Sequence, residues 1–183
     1  MLTLGGLVAY AGLAWAGKGA TALTGPGLQD SGSRLLTLIT FFPLVGAIIV
    51  LLPPIKDSMA KWVALAISAV PMALAAVIWS EFDTTFGVAK GSYGLQFVEY
   101  VPWIKSFNIE YLMGIDGISV TMILLTTLIS FICILASFGI EKHPKGYFAL
   151  FLLLQTGMTG LFCALDLFLF FVFWEVMLLP MYF

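Results

Sequence analysis

Charge is scarce in this sequence. Only 10% of its 183 residues are Asp, Glu, Lys or Arg, and they sum to a net charge of -2 without any basic cluster. There is no interleaving of aromatic and basic residues and no glycine-rich phosphate loop, so nucleic acid and nucleotide partners find no support. Histidine is limited to His143, in a charged turn, and cysteine to Cys133 and Cys163. Both cysteines fall inside apolar runs, where they read as small buried hydrophobes rather than a disulfide or metal pair. Without a His/Cys cluster of ligand spacing, haem, iron–sulfur and zinc centres lack ligands, and no cofactor is expected in this chain. Any catalysis is then the transport of a small ion, not redox chemistry of its own.

What the sequence has is hydrocarbon. Hydrophobic residues make up 61% of it and the mean hydropathy is +1.07, well outside the range of soluble domains. The expected fold is all-α, a polytopic transmembrane helix bundle of about six hydrophobic segments. Residues 1–34 read as an extra amino-terminal helix and a linker. The helix, up to about Leu23, is interrupted by Lys18, and small residues give it a signal-like character. It lacks the positive leading region of a signal peptide, which favours a retained helix. The linker Thr24–Ser33 is built of turn formers.

Residues 35–183 form the main membrane unit. Leu35–Leu52 is an uncharged span stopped by Pro53-Pro54, and Trp62–Ser80 is a second, with Trp62 and Trp79 as interfacial anchors and Pro71 at its middle. Between Glu81 and Asp116 the chain carries five acids and two lysines, which predicts an extramembrane loop, residues 81–116, with at most short structured pieces. Within it, Val98–Lys105 could lie along the headgroup boundary, and the alternation of Phe107–Leu112 suggests a small surface hairpin. Both read as packaging rather than as a site.

The next span follows Asp116, a helix-capping acid by position, and runs to about Phe138. Its Ser119, Thr126, Ser130, Cys133 and Ser137 share one face. Such a stripe usually permits close helix packing; lining a water file is the second reading. Tyr147–Leu165 is the fifth span, where Gly157 and Gly160 offer close approach. Gln155 and Thr159 sit one turn apart there, read as packing glue before partners of an acid. Asp166 reads as the cap of the last span. The turns at 53–61 and 139–145 hold four Lys or Arg in sixteen residues, against four in fifty-four for the loops at 17–34 and 81–116, which places the short turns on the cytoplasmic side.

The last span concentrates the chemistry. From Leu167 to Phe183 it is apolar at nearly every position except Glu175. At about 1.5 Å per residue, Glu175 lies roughly 12 Å from Leu167, near the middle of a hydrocarbon layer about 30 Å thick. Charged residues at that depth cost about 2.5 to 3.5 kcal/mol on insertion scales, so such a group is usually turned inward, paired or protonated, and marks an ion path. Pro180 lacks an N–H and frees the carbonyl of Val176, which could hold a water beside the acid. Glu175 is therefore the candidate catalytic residue, as a reversible proton binder.

The run Ala164-Leu-Asp-Leu-Phe-Leu-Phe-Phe-Val-Phe-Trp-Glu-Val-Met-Leu-Leu-Pro-Met-Tyr-Phe183 closely resembles the fifth core transmembrane helix, with its lead-in, of the antiporter-like subunits of respiratory complex I, in its subunit M or chain 4 form. Phe42–Gly46 and Gly114–Ser119 are similar to the starts of that family's first and third core helices. The resemblance implies that the acid at position 175 belongs to a proton path and is coupled to a lysine on a later, broken helix, which lies outside this sequence. It implies an incomplete, amino-terminal part of an antiporter-like fold. With Phe183 reached after about 25 Å of the last helix, a truncated subunit, a partial sequence or one piece of a split protein is expected. It further implies other membrane subunits of complex I as partners, neighbouring antiporter-like subunits among them, with NADH and quinone bound elsewhere in the assembly. The expected location is a lipid bilayer, the bacterial inner membrane or an organelle's energy-transducing membrane. Two other functions stay open: a subunit of a multi-protein cation/proton antiporter, and a structural or assembly fragment without transport activity.

Overall fold

Among the described residues, five apolar helices and one hairpin follow in the order α1 (Leu35–Leu51), α2 (Asp57–Glu81), β1 (Gln96–Ile104), β2 (Ile109–Ile115), α3 (Gly117–Ala136), α4 (Pro144–Cys163) and α5 (Leu167–Tyr182). The structure is a computed structural model that describes residues 34–53, 56–83, 95–104, 109–140 and 142–183. The predicted helix at residues 1–23 and its linker lie outside the described residues. Three helices, α2, α3 extended by a short 3-10 turn to Gly139, and α4, are long and apolar enough to cross a membrane, with α1 and α5 somewhat shorter. The chain is a multi-pass membrane protein.

Each helix forms on a mostly apolar stretch, and α1 stops just ahead of Pro53-Pro54. α2 begins five residues earlier than its apolar run, taking Asp57 and Lys61 into its first turns. It runs on through the buried Pro71, and α1 likewise contains a buried Pro43. α4 is the centre of the arrangement and packs against α1, α2, α3 and α5. Lipid is as apolar as leucine, so close contact must come from small residues that let backbones approach. That expectation holds at α4: a Cβ on Gly157 would lie 2.9 Å from the Met177 amide nitrogen, and one on Gly160 would overlap the Phe173 ring. Gly46 brings α1 onto Ile67 of α2 in the same way.

The stripe on α3 is a different matter. The buried face of that helix is Val120, Ile123, Thr127, Ser130 and Ile134, so Ser130 alone of the five stripe residues is fully inside. The other four lie at the edge of the packed face. Ser137 there bonds the Cys133 carbonyl at 2.7 Å and the Tyr147 hydroxyl at 2.9 Å.

Within residues 81–116 the described stretches include a two-stranded hairpin. β1 and β2 pair antiparallel, with Tyr100 opposite Leu112 and Pro102 opposite Glu110, and with bulges between Gln96 and Glu99 and between Pro102 and Ile104. The stretch expected along the headgroup boundary is thus a strand, though Tyr100–Trp103 along it are exposed. β2 is buried towards its end: Leu112 packs with Leu95 and Val98, while Met113 and Ile115 join the same core as Leu36, Ile78, Val120 and Cys163. The α4–α5 corner is tied to the hairpin by the Leu165 amide, which donates to the Leu112 carbonyl at 3.0 Å. At the opposite end, Lys145 and Asp57 approach to 3.7 Å, which sets the two lysine-bearing turns side by side.

Candidate functional site

Besides Asp57 in the first turn of α2, four acids accompany the described helix starts and spans, and they divide sharply by what touches them. Asp116 caps α3, its carboxylate accepting from the amides of Ile118 at 3.1 Å and Ser119 at 2.6 Å. Asp166 caps α5 by accepting from the Leu169 amide at 3.0 Å. Both satisfy amides that the helix itself leaves without partners.

Glu99 does the same for α1 from sixty-three residues away. The α1 N-cap position is Arg34, whose side chain makes no capping bond. The amides of Leu36 and Thr37 donate instead to the two oxygens of Glu99, at 2.8 and 3.1 Å, and the Thr37 hydroxyl adds a short bond to the same carboxylate. An anion over a helix N-terminus is favoured by the helix dipole as well. Phe97 at φ 54 lies in the first bulge of β1, and that irregularity turns Glu99 towards the bundle. The Tyr111 hydroxyl completes the cluster at 2.8 Å from Thr37 Oγ1. Burial pushes the Tyr111 phenol up to about 12, against the opposing pull of its bond to Thr37. Sequence reading missed this cluster. Its one sequence signal is an acid inside an otherwise apolar strand, paired with a helix that starts without a capping residue.

Glu175 is the exception. Leu169 and Phe173 are the buried residues of α5. Two residues beyond Phe173 is about 200° around a helix, so Glu175 faces away from α4 and is exposed on the surface of the five helices. Among the described residues no group hydrogen-bonds it or forms an ion pair with it. It edges a shallow groove of about 460 Å³ whose other lining residues include Val176, Leu179 and Tyr182 of its own helix. The helix continues through Pro180 to Tyr182. Gln155 and Thr159 do not reach it: Thr159 bonds the Gln155 carbonyl at 2.7 Å, and the Gln155 side chain is wholly buried with both polar atoms unpartnered among the described residues. Chemically, the arrangement offers one carboxylate, near mid-depth of an apolar helix, with its face open to further protein.

Comparison with known proteins gives this geometry a context. A family described as NADH-ubiquinone oxidoreductase chain 4, amino terminus, matches residues 59–170. The chain is similar to the NADH-quinone oxidoreductase subunit M of Rhodobacter capsulatus, 37% identical over 154 residues that cover 81% of this chain and 28% of the relative. It is also similar to an NAD(P)H-quinone oxidoreductase chain 4 of Thermosynechococcus vestitus, 35% identical over 80% of this chain and 27% of the relative. Arabidopsis thaliana NADH-ubiquinone oxidoreductase chain 4 is 37% identical over 76% of this chain and 28% of its own length. The chain therefore spans under a third of these relatives. Among solved structures, a chain of the membrane-bound sulfane sulfur reductase, an archaeal respiratory membrane complex, shares the fold with a TM-score of 0.62 at 18% identity. That match covers 80% of this chain and 22% of the other.

Proposed function

The chain belongs to the NADH-ubiquinone oxidoreductase chain 4 family, also called subunit M, and from that membership we propose that it serves as a non-redox membrane subunit in proton translocation coupled to quinone reduction. Its partners are the other membrane subunits of the complex, neighbouring antiporter-like subunits included, and NADH and quinone bind elsewhere in the assembly. The membrane is a bacterial inner membrane or an organelle's energy-transducing membrane. In this reading the chain is part of a translocase and performs no catalysis alone.

Glu175 is the proton-binding switch. The observation that carries this is its isolation: an acid in an apolar helix, turned outward from its own bundle and without a partner among the described residues. Facing lipid, a charge is costly by about 2.5 to 3.5 kcal/mol, so its stable environment is protein that supplies a counter-charge or a proton. A lysine from a later helix of the full-length subunit fits that need. With the lysine near, the carboxylate holds its charge; with the lysine withdrawn, it takes a proton. Electrostatic coupling between neighbouring subunits then links that exchange to quinone reduction.

Glu175→Gln in the full-length subunit, assembled in its complex, tests this directly. The neutral isostere is expected to abolish pumping-linked turnover while leaving the yield of assembled complex intact. Undiminished pumping would leave the chain a structural element only. Cation-dependent transport by an assembly with neither NADH nor quinone activity would assign it instead to a multi-protein antiporter.

A further inference from the structure

The centre of the bundle holds polar groups that neither capping nor the acid at position 175 accounts for. Ala64 of α2, Ile134 of α3 and Leu152 of α4 belong to one packed cluster. One helical turn from each towards the hairpin end, on the same faces, stand Ser68, Ser130 and Gln155. Two anchors at the other end give the same register. Ser130 is about 10 Å above Ser137 and Gln155 about 12 Å above Tyr147, and those two hydroxyls are bonded. Ser68 is about 16 Å above Asp57 and Gln155 about 15 Å above Lys145, which are also in contact. Ser68, Ser130 and Gln155 are all at most 1% exposed. Ser68 donates to its own Leu65 carbonyl at 2.9 Å, whereas the Ser130 hydroxyl and both polar atoms of the Gln155 amide have no partner among the described residues.

A primary amide has two donors and two acceptor lone pairs, and a hydroxyl adds one donor and two more lone pairs. Buried with nothing to bond, such groups are strongly disfavoured in an apolar interior. Water is the ligand that meets this chemistry, because it both donates and accepts and bridges two to four polar groups at once. We propose that Gln155 and Ser130 form an internal water-binding site between α2, α3 and α4, with Ser68 at its edge. The site lies about 15 Å from the end marked by Asp57 and Lys145, roughly the mid-depth of a bilayer. It is on the far side of α4 from α5, so it is separate from Glu175 and does not depend on the function proposed for that acid.

Electron cryo-microscopy of the assembled complex containing the full-length subunit, at a resolution that shows ordered water, decides the matter. The expected result is non-protein density about 2.6 to 3.2 Å from the Gln155 amide and shared with the Ser130 hydroxyl. In Gln155→Leu that density is expected to vanish, and in Glu175→Gln to persist. Should the leucine variant fail to assemble, Ser130→Ala serves the same purpose, with the density weakened or displaced towards Gln155. A wild-type map in which the Gln155 amide bonds directly to Ser130 or to a backbone carbonyl, with nothing between, overturns the proposal. So does density that survives Gln155→Leu unchanged.

Discussion

Glu99 and Glu175 are the same side chain in opposite surroundings. Glu99 sits where an anion is wanted, against two open amides and a hydroxyl at the start of α1, and it is buried there. Glu175 sits where an anion is not wanted, along an apolar helix, and no described residue meets it. The first is held by its bonds and contributes to architecture. The second has no hydrogen bond or ion pair among the described residues, and that isolation is what supports the proton-binding role proposed for it. Hydrogen bonding and burial both separate the two acids, which residue type alone does not.

The separation is open to direct attack. The largest effect is expected at Glu175, where the glutamine substitution removes turnover-linked pumping yet moves the thermal unfolding midpoint of the complex little, since glutamine keeps the side chain's shape and no described residue bonds the carboxylate. The converse is expected at Glu99. Glu99→Ala strips three hydrogen bonds from the α1 terminus and should cost about 3 kcal/mol of stability, read as an earlier melt of the assembled complex. Glu99→Gln retains an acceptor oxygen and should cost less than half of that. If Glu99→Ala melts normally but loses pumping, the division of labour between the two acids is wrong. Asp116→Ala should be milder, about 1 kcal/mol, the usual worth of a helix cap.

The smallest effect is one of pH. Tyr111 has a phenol pushed from an ordinary 10.0 up to about 12 by burial. Below pH 10 both folded and unfolded chains keep that proton, and the residue contributes nothing to pH dependence. Between about pH 10 and 12 the unfolded chain releases it and the folded chain does not, so stability falls as pH rises. Tyr111→Phe should flatten that alkaline loss, which melting curves across pH 9 to 12 would register.

Local signals were legible in the sequence and distant ones were not. The spans came from unbroken apolar runs, and their ends from Pro53-Pro54 and the charged turn before Lys145. The caps at Asp116 and Asp166 were visible because capping acids lie next to the helices they serve. Gly157 and Gly160 announced a close approach that α5 does make. The hairpin showed only half of itself: β2 alternates, while in β1 the bulges and Pro102 break the alternation. The capping of α1 by Glu99 joins residues more than sixty apart, a relation no window of sequence contains. Gln155 was placed correctly beside Thr159, but that no described residue partners its side chain shows only in the folded bundle. The α3 stripe misled because five residues spaced for one face say nothing of which neighbour that face meets.

The long reach of Glu99 also has a consequence for how the protein is made. The Leu36 amide leaves the ribosome sixty-three residues ahead of the carboxylate that will receive it. At roughly 5 to 20 residues per second, α1 waits between about three and thirteen seconds with its first turn uncapped. By then α1 and α2 have both emerged for insertion, and the hairpin strand must fold back onto helices already in the bilayer. The clasp therefore closes after insertion rather than guiding it, and a defect at position 99 would act on a chain that has already reached its membrane.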